Sequence, residues 1–326
     1  MLTRWVGGLA GLMVVAGALG GCGGDPDPLT EALGHVRDTA KTRATVEFGD
    51  VAAVKKANGG SLTGTGRYGH LYGYGMGNLA QTPAARVKQA LGIDPGQVQQ
   101  AITAGAPPDS AWRMTGSFDA DAVTGKLKAL GGRQDGDDLR LRADKQVNLS
   151  DTLGKRLPGV VNGMNVVRVT DDAIVHGSSA AAVAALDADD GTLADNERFH
   201  AVASCLDSPL AALLSGNGFR GAGANAGFTA GVGVRGTDGQ APTEVLCRTA
   251  RSDQEADQVR QRMEQAIRGT TASTRRPWRT LLTGAEVETL TDGDVPVVRL
   301  TAQRAGSGEA GVLIKAATNR DLAALL

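Results

Sequence analysis

One local plan, a short strand that leads directly into a capped helix, recurs along the chain and constrains its fold more than any other feature. Residues 111–118 alternate in polarity as a strand does, and Asp119 can cap the helix that follows. Strands at residues 173–176 and 243–249 are predicted to lead into helices in the same way, each with a serine cap. Residues 44–56 form a fourth and weaker unit.

Tight turns join other strand-like segments of the chain in pairs. The turns Asp171-Asp172 and Asp292-Gly293 each separate two such segments. Strands that return through tight turns pair in antiparallel fashion. We therefore expect an α+β fold of mostly antiparallel sheets, with helices packed on one face and with repeated strand-helix units.

The chain divides into a leader, a tether and two larger regions. The predicted segments are a signal peptide at residues 1–21, a short tether at 22–28, an N-terminal α+β region at 29–215, a Gly-rich connection at 216–227 and a C-terminal α+β region at 228–326. The sequence leaves open whether the two α+β regions are separate domains.

The leader has a short positive start and an uncharged apolar stretch at residues 5–19, which is too short to span a membrane easily. Directly after it stands Leu19-Gly20-Gly21-Cys22, which resembles the lipobox of bacterial lipoproteins. With the Ala-, Gly-, Arg- and Asp-rich composition and the segments 116–123 and 192–199, this sequence resembles uncharacterised cell-envelope lipoproteins of high-GC Gram-positive (actinobacterial) bacteria.

The resemblance implies that cleavage precedes Cys22 and that its thiol carries acyl chains, which would anchor the protein on the extracytoplasmic face of the cell membrane. Each buried methylene contributes about 0.8 kcal/mol, so several acyl chains hold a protein on a bilayer firmly. The resemblance offers no established activity, so no catalytic residue is carried over from it. The alternative is an ordinary secretory signal whose cysteine is incidental.

Two cysteines remain once Cys22 is assigned to lipid. Cys205 and Cys247 form an even pair in an oxidising exterior, which predicts one structural disulfide. It would close a loop of about forty residues and stabilise the protein by about 4 kcal/mol in the chain-entropy model. A metal site that uses both cysteines and His200 is the alternative.

The charge balance excludes one class of partner. Lys and Arg total 34 against 35 Asp and Glu, so no basic excess exists to neutralise a phosphate backbone, and we expect no nucleic-acid partner. Walker A, G-x-S-x-G and H-E-x-x-H motifs are absent from the sequence. We therefore predict no cofactor, no metal site and no catalytic residue.

All three tyrosines lie close together, within residues 67–76. If that segment is extended, the side chains of Tyr68, His70, Tyr72 and Tyr74 face the same way, and the residues between them are mainly glycine. Amphipathic rings on an adaptable backbone are typical of recognition surfaces. The alternative is that the segment packs onto the body as an irregular lid.

These features together predict a lipid-anchored, non-enzymatic surface protein. It is expected to bind another envelope protein or a cell-wall polymer, or to organise the envelope, while its lipid holds it on the membrane. A lipid-binding carrier or an envelope hydrolase is the alternative. A carrier requires an apolar cavity of several hundred cubic ångströms, and a hydrolase requires His176 or His200 beside a carboxylate and a nucleophile.

Overall fold

The computed structural model describes residues 27–61, 66–219, 227–237 and 239–326. Cys22 and the predicted signal peptide lie outside the described residues, as do residues 220–226 of the Gly-rich connection. In the part of the chain that is described, no helix is both long enough and apolar enough to cross a bilayer.

The described residues contain nine α-helices and one sheet of twelve strands. The helices are α1 (Pro28–Leu33), α2 (Val51–Ala57), α3 (Ala84–Leu91), α4 (Ala120–Ala129), α5 (Thr152–Arg156), α6 (Ala180–Ala185), α7 (Glu197–Leu206), α8 (Asp253–Ala266) and α9 (Val312–Thr318). The strands are β1 (Val46–Asp50), β2 (Val98–Ala106), β3 (Asp109–Gly116), β4 (Arg133–Asp135), β5 (Asp138–Arg140), β6 (Val166–Val169), β7 (Ala173–Gly177), β8 (Ala211–Ser215), β9 (Ala230–Arg235), β10 (Thr243–Thr249), β11 (Leu282–Asp292) and β12 (Val295–Arg304).

All neighbouring strands of the sheet are antiparallel, in the order β11-β12-β10-β9-β8-β1-β2-β3-β7-β6-β5-β4. The predicted α+β class with antiparallel strands is confirmed. The strands on either side of the predicted connection at residues 216–227, β8 and β9, pair with each other, so one sheet includes strands from both regions. The division into regions 29–215 and 228–326 stays a prediction.

Helices cover both faces of this sheet, which differs from the expected arrangement on one face. In β10, Val245 and Cys247 belong to the apolar core that contains α7, whereas Leu246 belongs to the core that contains α8 and α9. Alternate residues of a strand point to opposite faces. The central strands carry apolar side chains on both faces, so each face needs its own cover to exclude water.

The predicted strand-helix units are confirmed, and each helix begins at a side-chain cap. The Ala122 N–H donates to Asp119 Oδ1 (2.8 Å) at the start of α4, and the Ala53 N–H donates to Asp50 Oδ1 (2.8 Å) at the start of α2. Serines cap α6 and α8 in the same way: the Ala182 N–H donates to Ser179 Oγ and the Glu255 N–H donates to Ser252 Oγ, each at 3.2 Å. Such caps satisfy backbone donors that the first helical turn leaves unpaired.

Two parts of the chain follow one plan of a helix, three strands, a second helix and a hairpin. The first unit is α1, β1, β2, β3, α4, β6 and β7, and the second unit is α7, β8, β9, β10, α8, β11 and β12. Their strands have the same spatial order, β1-β2-β3-β7-β6 and β8-β9-β10-β12-β11, and β1 pairs with β8 at the junction. Residues 51–97, between β1 and β2, are a large insertion that the second unit lacks.

The predicted disulfide is present between Cys205 in α7 and Cys247 in β10, with a Cα–Cα distance of 6.2 Å. It ties a helix to the face of the sheet that the helix covers, and both cysteines are buried in the same core. The bond leaves neither thiolate free, so the alternative metal site with His200 is excluded.

Candidate functional site

A row of side chains crosses all twelve strands on one face of the sheet. From β11 to β8 the row is Val287, Leu300, Leu246, Val232 and Leu213, and from β6 to β4 it is Val167, Leu139 and Gln134. Between these two stretches, β1, β2, β3 and β7 contribute Glu47, Thr103, Trp112 and His176, which we call the central row. A row that is apolar on both sides of the centre, up to Gln134 in the edge strand, therefore becomes polar and aromatic at the middle of the sheet.

The second unit shows what these positions hold when their role is only packing. Its equivalent residues are Leu213, Val232, Leu246 and Leu300, all of them apolar and buried. A carboxylate and an imidazole in place of leucines lose water of hydration and gain little packing energy. Such local departures from an apolar pattern are expected at functional sites.

A cleft of about 930 Å³, which we call the central cleft, lies over the central row. Its sheet side includes Thr45, Glu47, Thr103, Ser110 and Trp112, and its roof includes His70, Tyr72, Tyr74, Asn78, Gln81 and Thr82. The roof belongs to the insertion of the first unit. The residues that form the cleft are thus those that distinguish the first unit from the second.

The tyrosine segment has a different conformation from the predicted extended stripe. Gly69–Gly73 forms a 3₁₀ turn, so the four predicted side chains do not share one face. Tyr68 is buried, with 2% of its surface exposed, and its hydroxyl donates to the Gln240 carbonyl (3.2 Å). His70, Tyr72 and Tyr74 line the central cleft. Their role in binding stays a prediction.

Glycines bring this roof close to the sheet. Gly75 has a φ of 75°, and a Cβ there would collide with the Ala101 carbonyl of β2. A Cβ at Gly77, where φ is 56°, would collide with the Trp112 indole. Thr103 Oγ1 also donates to the Gly75 carbonyl (2.9 Å). The glycines between the aromatic residues therefore permit close contact with strands β2 and β3.

Glu47 is the acidic group of the central cleft. Burial raises the pKa of its carboxyl group, and no basic side chain among the described residues forms an ion pair with it. Burial raises the pKa of Tyr74 to about 12, and the charges of Glu47 and Glu244 contribute to this rise. Burial, with a contribution from Asp94, also raises the pKa of Tyr72 to about 12. Both phenols are therefore protonated hydrogen-bond donors at neutral pH.

The two histidines near the cleft are neutral at pH 7. Burial lowers the pKa of His70, and the charge of Lys315 lowers it further. Burial lowers the pKa of His176 to about 4. His176 Nδ1 donates to the Gly163 carbonyl (2.6 Å), and its ring stacks on Trp112 with a centroid distance of 5.2 Å. His176 thus supports the indole from the side opposite Thr103.

The histidine arrangement expected of a hydrolase does not occur in the described residues. His176 is in contact with a carbonyl and an indole rather than with a carboxylate and a nucleophile. His200 is half exposed and lies 3.9 Å from Asp292. Within the described ranges, no cluster of three His, Cys, Asp or Glu side chains is placed to hold a metal ion.

A second concavity, of about 600 Å³, lies on the opposite face of the sheet. It runs between α6 and residues 37–42, and we call it the alanine groove because its walls are mainly Ala104, Ala111, Ala181, Ala182, Ala184 and Ala185. Arg37 and Lys41 stand at its rim, where they pair with Asp190 and Asp109. Its size and apolar lining correspond to those expected for a lipid-binding carrier.

Comparisons with known proteins give only distant likenesses. No protein-family model matches the chain, and no curated protein matches it. Crystal form I of TP0453, a spirochete protein, is similar with 10% identity and a TM-score of 0.38, over 88% of this chain and 97% of that chain. Crystal form III has 10% identity and a TM-score of 0.34, over 84% of this chain and 92% of that chain. With TM-scores below 0.5, these likenesses carry no argument about fold or function.

Glu47→Gln should stabilise the protein at pH 7. The raised pKa means that ionised Glu47 opposes folding, so the stability of the wild type falls as pH rises above the ordinary value of 4.5 and through the folded-state pKa. We expect the variant to raise the free energy of unfolding by about 0.5–2 kcal/mol, which is the usual gain from a single stabilising substitution. Urea unfolding at several pH values measures the effect.

The gain should disappear below the unfolded-state pKa, because both side chains are then neutral. Glu286→Gln is the matched control, since it removes an exposed carboxylate of β11 that forms no ion pair among the described residues. Its stability should follow that of the wild type at every pH. A Glu47→Gln variant that is less stable at pH 7 would show that the carboxylate has an internal partner and would refute this account.

Proposed function

We propose that this protein is a lipid-anchored surface protein that binds, without chemically converting it, a ligand group that carries an ammonium cation. The observation that carries the proposal is the central row, in which a carboxylate with no ion-pair partner among the described residues lies beneath a cleft lined with aromatic rings. The described residues supply no internal cation for Glu47. A cationic ligand would supply the missing charge.

The chemistry of the cleft favours a cation over an anion or an uncharged sugar. Tyr72, Tyr74 and Trp112 line the cleft, and aromatic rings attract a cation that lies over their faces. Glu47 would neutralise the ligand charge where little water remains. His70 is neutral at pH 7 and so neither repels a cation nor attracts an anion. Electrostatics and ring chemistry therefore favour the same ligand.

Polar neutral groups around this centre can orient the rest of the ligand. Thr45 and Ser110 offer hydroxyls on the sheet side, and Asn78 and Gln81 offer amides on the roof. A volume of about 930 Å³ lies in the range of small-molecule sites. The amino groups of an envelope protein or a cell-wall polymer carry the required charge, which agrees with the partners expected from the sequence.

The anchor is part of this proposal, and the start of the folded body supports it. Asp27 caps α1, where the Thr30 N–H donates to its carboxylate (3.2 Å). Because α1 begins at Pro28, the last residue of the predicted tether 22–28 already belongs to this helix. A segment this short spans about 20 Å when extended, so an acyl chain on Cys22 would keep the body close to the membrane.

Choline provides a direct test of the central cleft. We expect choline to bind to the wild type, and Glu47→Gln to weaken the affinity by tenfold or more, about 1.4 kcal/mol, because the ion pair is lost. Tyr74→Ala should weaken binding as well, whereas Tyr74→Phe keeps the ring and much of the affinity. Affinity should rise with pH as Glu47 loses its proton. Isothermal titration and ligand-detected NMR measure these affinities.

Two controls separate charge recognition from general binding. The uncharged carbon analogue of choline has the same shape and should bind far more weakly. Glu286→Gln removes a carboxylate elsewhere on the sheet and should leave choline binding unchanged. Equal binding of choline and its uncharged analogue would refute the assignment of a cationic ligand.

Cys22→Ala tests the anchor in cells. The variant should leave the membrane fraction or remain unprocessed, because it lacks the thiol that would carry the acyl chains. Membrane fractionation and intact mass measurement follow the change. Cys22→Ala that fractionates with membranes as the wild type does, after the same processing, would contradict the anchor.

The alanine groove favours a second candidate function, the binding of an acyl chain. Its apolar wall could hold the hydrocarbon while Arg37 and Lys41 lie near an anionic headgroup. A fluorescent fatty acid should then bind, and Ala184→Glu should weaken its affinity by about tenfold because the new charge must lose water. Ala52→Glu on the exposed side of α2 is the matched control. Equal fatty-acid binding by both variants would rule out the groove.

A further inference from the structure

A loop rich in arginine connects α8 to β11. Residues 268–279, which we call the arginine loop, contain Arg268, Arg275, Arg276 and Arg279 and no acidic residue. Arg320 is close by, because the Asp321 carboxylate accepts hydrogen bonds from the N–H and hydroxyl groups of Ser273. All five arginines are exposed, and none forms an ion pair with another described residue.

Backbone hydrogen bonds join residues across this loop. The Thr271 N–H donates to the Arg276 carbonyl (2.9 Å), and the Trp278 N–H donates to the Gly269 carbonyl (3.1 Å). Trp278 is buried in the core, with 1% of its surface exposed. Arg275 and Arg320 have left-handed backbones, with φ of 55° and 60°. Such conformations are unusual for arginine and cluster at functional sites.

The arginine loop and the entry of the tether lie at the same end of the sheet. β11 begins at Leu282, directly after the loop, and strand pairing carries this end across Thr243 of β10 to Asp50, the last residue of β1. Burial raises the pKa of Asp50, and the charge of the neighbouring Asp27 adds to the rise. Glu31 of α1 and Gln100, the residue that pairs with Asp50 in β2, line one small cavity, so the start of α1 lies at that end of the sheet.

The central cleft opens towards the other end. Its sheet residues Thr45, Gly105 and Ser110 lie at the start of β1, the end of β2 and the start of β3. A body held by the tether and by the arginine loop would therefore direct the cleft away from the bilayer. That orientation leaves the cleft accessible to ligands in the envelope.

We infer that the arginine loop contacts the anionic headgroups of the membrane that carries the protein and so orients the central cleft. This inference rests on the proposed lipid anchor. The loop presents guanidinium groups, which bind phosphate oxygens in two-point fashion, and exposes no large apolar side chain. An array of phosphates is the partner that several fixed guanidinium groups fit. A protein partner would also require an apolar contact region.

Vesicle sedimentation tests the inference. The protein is the mature chain of residues 22–326 with Cys22→Ala, which has no acyl chain. It should bind vesicles that contain phosphatidylglycerol, fail to bind phosphatidylcholine alone, and dissociate as salt rises. Each arginine near an anionic surface contributes about fivefold in affinity, so the triple change Arg275→Ser, Arg276→Ser and Arg279→Ser should weaken binding by about 100-fold.

A second basic surface provides the matched control. Arg86, Lys155 and Arg156 on α3 and α5 are also exposed and form no ion pair among the described residues. Changing these three to serine removes the same charge and should leave vesicle binding almost unchanged. The triple change Arg275→Lys, Arg276→Lys and Arg279→Lys should keep most of the affinity.

Three results would overturn the inference. They are equal losses in the two serine triple variants, no dependence of binding on phosphatidylglycerol, and tighter binding to a polyanion such as heparin than to the vesicles. Choline titration of the arginine-loop variant separates this inference from the proposed function, because its cleft should bind choline as the wild type does. The fractionation of Cys22→Ala in cells tests the anchor itself.

Discussion

The antiparallel pairing of β1 with β8 is the interaction on which the rest of the structure depends. The paired residues run from Val46 with Leu214 to Gly49 with Ala211. This pairing joins two units of the same plan into one sheet. Without this pairing, each unit would expose the edge of a central strand, and both faces of the sheet would be interrupted. The pairing also places Glu47 beside Leu213, at the point where the apolar row of the second unit meets the polar row of the first.

The two units share one architecture but differ in the side chains that their equivalent positions hold. In the second unit the row is filled with buried apolar side chains, and the disulfide ties α7 to β10. In the first unit the same positions hold a carboxylate, a hydroxyl, an indole and an imidazole, and an inserted segment covers them. The neutral His176 supports Trp112, whereas the partly buried Glu47 forms no ion pair with any residue that the structure describes. Burial of the ionised Glu47 carboxylate opposes folding. This unfavourable burial makes this half of the sheet a candidate binding site.

Local features of the fold were predictable because they depend on neighbouring residues. Asp119 and Ser252 cap their helices as expected, because each cap bonds to the backbone N–H only three residues later in the chain. The binding role of the tyrosine segment stays a prediction, and its expected extended conformation was wrong. Its glycines allow close contact with Ala101 and Trp112, which come from strands distant in sequence. Glu47 was not predicted as a site residue, because an acidic residue between Val46 and Phe48 fits the alternating pattern of a strand with one exposed face.

By itself, the sequence determined the α+β class, the strand-helix junctions and the pairing of Cys205 with Cys247. Caps and tight turns act over a few residues, and only two cysteines remain to pair once Cys22 is assigned to lipid. Only the tertiary structure decided that helices cover both faces, that two similar units share one sheet, and that Glu47, Tyr74 and Trp112 line one cleft. Those outcomes depend on strand register and on contacts between distant segments, which no local pattern of residues encodes.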